Sequence, residues 1–121
     1  MTKRESVFQA EFIRELRNRY PRSIILKNDP NYLQGVPDVL MLVHDTWAAF
    51  EIKTYRDART QPNQVYYVNL MDGMSFAAFV YPENAQDVLD ALQQSLGSRK
   101  LSCISERQQV PLDQLRPRQT H

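Results

Sequence analysis

Apolar positions recur at helical spacing in the first stretch of the chain, where Phe8, Phe12, Ile13, Leu16 and Tyr20 mark one face of a helix over roughly residues 3–19. Thr2 with Glu5, or Ser6 with Gln9, supplies a capping box, and Pro21 stops the helix. Placed at about 100° per residue, Glu5 and Gln9 fall inside the apolar arc, while Glu11 and Glu15 fall near or beyond its edge. A carboxylate on a buried helix face is costly unless it is paired or coordinating. The pattern then changes. Ser23 to Lys27 reads as a short strand, Asn28-Asp29-Pro30-Asn31 as a turn, and Gly35-Val36-Pro37 as a second loop. Two continuous apolar runs follow, Val39 to Val43 and Trp47 to Phe50, broken at His44-Asp45-Thr46. They predict a β-hairpin over 38–53, central in its sheet and covered on both faces.

The remaining elements alternate. Pro62 suits the first turn of a helix running to about Met71 and ended by Gly73, with Gln64, Val68 and Met71 on one face. Ser75 to Tyr81 reads as a buried strand. Pro82-Glu83-Asn84 turns the chain into a last helix with Ala85, Val88, Leu89, Leu92 and Leu96 as its stripe and Gly97 as its C-cap. The expected order is helix, strand, two-stranded hairpin, helix, strand, helix: an α/β fold on a mixed sheet of about four strands. Residues 1–97 form the expected domain. Residues 98–121 form an extension, with Leu101 to Ile104 as an edge strand and Pro111 to His121 as a mobile tail.

Composition narrows the class. A chain of 121 residues builds one domain. Hydrophobic content of 42% and charged content of 24% are ordinary for a globular protein, and no apolar run reaches membrane-spanning length. Without a secretory signal, and with one cysteine (Cys103), the expected setting is a reducing cytoplasm. One Cys and two His exclude a zinc site of the usual kind. The formal charge of +1 excludes binding by bulk charge, but eleven of the fifteen basic residues are Arg, suited to bidentate phosphate contact. Several cluster: Arg14, Arg17, Arg19 and Arg22 in one segment, Arg56 and Arg59 in another.

The chemistry concentrates at the ends of the hairpin. Asp38 precedes its first strand, and Glu51-Ile52-Lys53 closes its second. Strand side chains alternate, so Glu51 and Lys53 share a face. Asp38 joins them only if the hairpin loop has an even number of residues; a regular three-residue loop would send it to the other face. Mg²⁺ is held by one or two carboxylates with oxygen donors, so Asp38, Glu51 and the backbone carbonyl of Ile52 are the candidate ligands. Lys53 would hold the attacking water or stabilise the charged transition state of phosphodiester hydrolysis. Glu5 is a candidate for a further metal or water contact, unless the first helix begins at Ser6 and leaves it exposed. Gln64 would orient a water, a phosphate or Lys53, or serve as a satisfied buried amide. Gln9, Arg56 and Arg59 are the candidates for touching nucleic acid. Tyr55, Tyr66 and Tyr67 suit base stacking and core packing equally. His44 reads as a turn residue and Trp47 as core.

Pro37-Asp38 followed by Glu51-Ile52-Lys53 resembles the signature of the PD-(D/E)XK nuclease superfamily. The fuller run Gly35-Val36-Pro37-Asp38, then Phe50-Glu51-Ile52-Lys53-Thr54, then Gln64 opening a helix, resembles its VRR-NUC branch, the virus-type replication–repair nucleases. Glu5 and Gln9, four apart on the first helix, extend the likeness, which covers roughly residues 5–81. The resemblance implies a restriction-endonuclease-like core and a Mg²⁺- or Mn²⁺-dependent deoxyribonuclease. Such an enzyme is often dimeric and acts on branched, flapped or junction DNA in replication or repair. With no helicase or long basic region attached, the chain suits a stand-alone phage or mobile-element enzyme in the host cytoplasm. So small a core covers little DNA alone, which favours a homodimer. The rivals are a restriction-type or RNA-cleaving nuclease, a non-catalytic DNA-binding subunit of the same fold, and a structural protein in which Glu51 and Lys53 form a plain ion pair.

Overall fold

A computed structural model describes residues 3–107. The elements are α1 (Lys3–Arg19), β1 (Ile24–Lys27), β2 (Val39–Val43), β3 (Thr46–Ile52), α2 (Pro62–Met74), β4 (Phe76–Val80) and α3 (Ala85–Arg107), in the expected α/β order. The strands lie β1-β2-β3-β4, with β1, β2 and β3 antiparallel and β4 parallel to β3. The sheet is therefore mixed, and the β3-α2-β4 crossover supplies its parallel pair.

Val43 pairs with Thr46, so His44 and Asp45 alone form the β2–β3 turn. The loop is even, as the shared face of Asp38 and Glu51 demands. His44 takes a left-handed backbone with φ of 53°, the conformation that tight hairpins use.

The two sheet faces are covered unequally. Val39, Met41, Val43, Ala48, Phe50, Ile52 and Val80 point to one face and pack against Phe12, Ile13 and Leu16 of α1 and Val88, Leu89, Leu92 and Leu96 of α3. Phe50, fully buried, meets Phe12 edge-on at 5.2 Å between ring centroids. On the other face, Val68 and Met71 of α2 pack on Ala49, Ala77, Leu40, Trp47 and Phe79. A helix about 10 Å wide spans roughly two strands spaced about 4.8 Å apart. Two helices thus cover four strands on the first face, whereas α2 sits mainly over β3 and β4. The expectation that the hairpin is covered on both sides fails for this reason: Leu42 of β2 and Ile24 and Leu26 of β1 remain exposed.

Both helix ends read from glycines are also corrected. Gly73 lies inside α2, which ends at Met74 with Ser75 as its C-cap; the Ser75 hydroxyl donates to the Trp47 carbonyl at 2.5 Å and pairs with the Thr46 hydroxyl at 2.9 Å. A long-range anchor, rather than a left-handed glycine, terminates the helix. Gly97 likewise lies inside α3, and Leu101 to Ile104 are helical instead of an edge strand. Nothing from Ser98 to Arg107 breaks a helix, and one internal glycine costs only about 1 kcal/mol. At the other end, α1 begins at Lys3, so Ser6 lies within its first turn and is not its cap. Thr2 and the tail from Pro111 to His121 lie outside the described residues.

Because Phe50 joins α1, β3 and β4 in one cluster, Phe50→Ala should cost about 3–5 kcal/mol. Urea denaturation at fixed pH checks this, with the m-value unchanged if the native state stays compact.

Candidate metal and phosphodiester site

Val39 pairs with Phe50, and one step along the same register Asp38 stands opposite Glu51. Proline shapes what happens at the next step. By that register Pro37 faces Ile52, and proline has no N–H to give the Ile52 carbonyl. The Ile52 N–H donates instead to Asp38 Oδ2 at 3.1 Å. The Lys53 N–H points the other way, to the Val80 carbonyl at 2.8 Å, which fixes the Ile52 carbonyl on the Asp38 side. The carboxylates and this carbonyl thus converge at one strand end.

Asn28 holds the preceding loop. Its backbone N–H donates to the Asp38 carbonyl at 2.9 Å and its side-chain amide to the Pro37 carbonyl at 2.5 Å. Gly35, at φ of 91°, lets this loop reach α2: a Cβ there would stand 2.7 Å from the Asn63 side chain. None of these contacts has a signature in the sequence beyond the turn character of Asn28 and Gly35.

Lys53 and Glu51 are both buried, yet no salt bridge joins them among the described residues. Gln64 stands between them. Its Oε1 accepts from Lys53 Nζ at 2.8 Å and from the Gln61 N–H at 3.0 Å, and its Nε2 donates to Glu51 Oε2 at 3.1 Å. These contacts match two of the roles open to Gln64, a satisfied amide and a group that orients Lys53. The Arg59 carbonyl accepts a second bond from Lys53 Nζ at 3.0 Å. The ammonium is held by neutral oxygens, its charge uncancelled by direct contact.

The acids are crowded. Burial first, then the Asp38 charge, pushes Glu51 up to about 8; Lys53 opposes this. Asp38 is also raised by burial, against the Ile52 N–H and the bond from Glu51 that favour its ionised form. Both shifts favour retention of a proton by the Asp38–Glu51 pair. Glu5, half-buried on α1, is raised by burial and by Asp38, so α1 brings its carboxyl into the same field. It does not complete a three-carboxylate cluster: among the described residues no three His, Cys, Asp or Glu side chains are grouped to hold a metal ion. Two raised, proton-sharing carboxylates beside a carbonyl that its strand partner cannot satisfy nevertheless fit the oxygen donor set of Mg²⁺.

The nucleic-acid candidates separate. Arg56 and Arg59 are exposed after β3, and the Arg56 guanidinium lies 6.0 Å from the Tyr81 ring centroid. Gln9 is buried under α1, so it presents little surface to a DNA strand; its place on the inner helix face is the reason. Tyr55 and Tyr66 are exposed, Tyr67 half-buried. No protein-family model, curated protein or solved structure matches this chain.

A folded-state pKa above the unfolded one means the native protein binds the Glu51 proton more tightly. That contribution is fully present below about 4.5, declines as pH rises toward about 8, and is flat above it. Metal-free protein should therefore lose stability between these values, and Glu51→Gln should flatten the loss. Urea midpoints of both proteins from pH 5 to 9 measure the difference; parallel curves would contradict the shared proton.

Proposed function

We propose that this chain is a metal-dependent endonuclease that hydrolyses DNA phosphodiester bonds, selective for branched, flapped or junction DNA. One observation carries the reading: Asp38 and Glu51 face each other at a strand end, with a buried lysine amine held beside them but out of ion-pair contact. The resemblance of Pro37-Asp38 and Glu51-Ile52-Lys53 to PD-(D/E)XK nucleases of the VRR-NUC branch supports it.

Asp38, Glu51 and the Ile52 carbonyl would hold Mg²⁺, with Mn²⁺ able to replace it. A divalent ion, when bound there, lowers the pKa of a water and neutralises charge growing on the phosphate. Asp38 and Glu51 would bind it as carboxylates, releasing to solvent any proton the pair retains. Lys53, held by Gln64 and the Arg59 carbonyl, would present its ammonium to a scissile phosphate or to the attacking water. Arg56 and Arg59 would contact the flanking backbone. Glu5 would act on water or on the proton balance.

The plain ion-pair reading loses ground, because Gln64 separates the two charges. A non-catalytic DNA-binding subunit would have no use for two buried acids that depress each other's ionisation. No helix among the described residues is long and apolar enough to cross a membrane. A homodimer acting on DNA in the cytoplasm completes the proposal.

Labelled linear, nicked, flapped and four-way DNA, incubated with Mg²⁺ or with EDTA, tests it. Lys53→Ala and Asp38→Asn should each lose at least about 100-fold in cleavage rate while still binding DNA. Cleavage that survives in either variant, or with the metal chelated, would falsify the mechanism; an RNA strand cut in preference would redirect the substrate. Gln64→Leu should reduce the rate less, about 10-fold, since Lys53 keeps the Arg59 carbonyl.

A further inference from the structure

The uncovered half of the sheet has a definite shape. Ile24, Leu26 and Leu42 share the α2-side face, by the pairing of Ile24 with Leu42 and of Leu26 with Leu40, whose side chain packs under α2. They are 57%, 44% and 39% exposed, and form an apolar floor. Leu70 and Met74, at 42% and 65% exposed, lie four apart along α2. Asn63 marks the flank of α2 that meets the Gly35 loop, and Leu70 and Met74 lie within about 20° of it around the helix. That loop leads into β2, so this flank faces the open floor. The C-terminus of α2 is anchored at Thr46 and Trp47, next to Leu42 across the hairpin. Floor and wall therefore meet in one apolar trough along β1 and β2.

We propose that this trough is the interface with a second copy of the same chain, two open half-faces stacking about a two-fold axis. Area favours it. At about 200 Å² for a large apolar residue laid open, the five side chains expose on the order of 500 Å². That is toward the upper end for a lone monomer and more than half of the roughly 800 Å² per partner of a stable interface. Chemistry favours it too. None of the five carries a charge, so a polyanion bound through its phosphates finds no counter-charge in the trough. An isologous contact needs a patch complementary to itself, and a leucine- and isoleucine-faced sheet can stack on its copy as in a β-sandwich. The partner would supply what α2 provides over β3 and β4, a second apolar layer over β1 and β2.

This assigns a surface to the proposed homodimer and stands apart from the nuclease chemistry, because its readout is mass rather than cleavage. Light scattering of the full chain should give twice the 14.2 kDa chain mass at micromolar concentration. Leu26→Glu with Leu42→Glu should weaken the dimer at least about 100-fold, because two carboxylates per subunit would be buried unpaired. Val65→Glu, on an exposed α2 position outside the trough, should leave the dimer intact. Circular dichroism melting keeps the test sound, since exposed positions tolerate the change in a folded monomer. A monomeric native chain overturns the proposal, as does a Leu26→Glu, Leu42→Glu protein that stays dimeric. A monomer that gains hydrophobic-dye binding on removal of residues 108–121 would instead give the trough to the chain's own tail, and so overturns it as well.

Discussion

The register of one hairpin governs this molecule. With His44 and Asp45 alone in the turn, Val39 meets Phe50 and Asp38 meets Glu51. A slip of a single residue would move every side chain of β2 to the opposite face. Val39, Met41 and Val43 would leave the α1–α3 core, and Asp38 would leave Glu51. The apolar alternation thus does two jobs at once. The same burial that makes a slip prohibitive for the core holds two acids together at the strand end, where they repel each other's ionisation.

Holding them there takes more than register. Glu51 and Lys53 are buried in a sheet otherwise lined by Ala49, Ala77 and Phe79, where apolar residues would be more stable. Gln64 makes the arrangement tolerable, because one amide serves an acid and an amine and also accepts the first free N–H of its own helix. That third bond matters, since it stiffens the Gln64 side chain against α2 and leaves its oxygen committed to Lys53. Pro37 contributes by subtraction. Its missing N–H denies the Ile52 carbonyl a ladder partner beside the two carboxylates.

Much of this was legible from residue order. The helix over 3–19, the strands of the sheet and the shared face of Glu51 and Lys53 follow from periodicity and alternation, which are local properties; the even turn was the condition for Asp38 to join them, and the hairpin meets it. The failures were of another kind. Gly73 and Gly97 resemble helix stops, but a glycine ends a helix only where the chain needs a left-handed turn, and here the Ser75 anchor or the absence of any breaker decides. The coverage of β2 misled for a related reason, since a continuous apolar run signals burial without saying by what. Whether α2 lies over β2 depends on the β3-α2-β4 crossover. Asn28 and Arg59 act through bonds whose partners lie nine and six residues away, and no spacing rule announces them.

Seen as energetics, the site and the open trough are two consequences of one imbalance. Three helices cannot cover both faces of a four-stranded sheet, and the face with one helix is left open over β1 and β2. The acids sit on that same face, at its end, reached by the Gly35 loop and the first turn of α2. Were a fourth helix laid over β1 and β2, the apolar floor would be satisfied, but the approach to Asp38 along β2 would narrow. A copy of the chain could cover the floor toward the hairpin turn while leaving the strand ends clear, because Leu42 and Ile24 lie at the turn end and Asp38 at the other. On the proposed reading, in which the acidic end must stay open to DNA, an added intramolecular helix would meet that constraint poorly and a symmetric partner would meet it well.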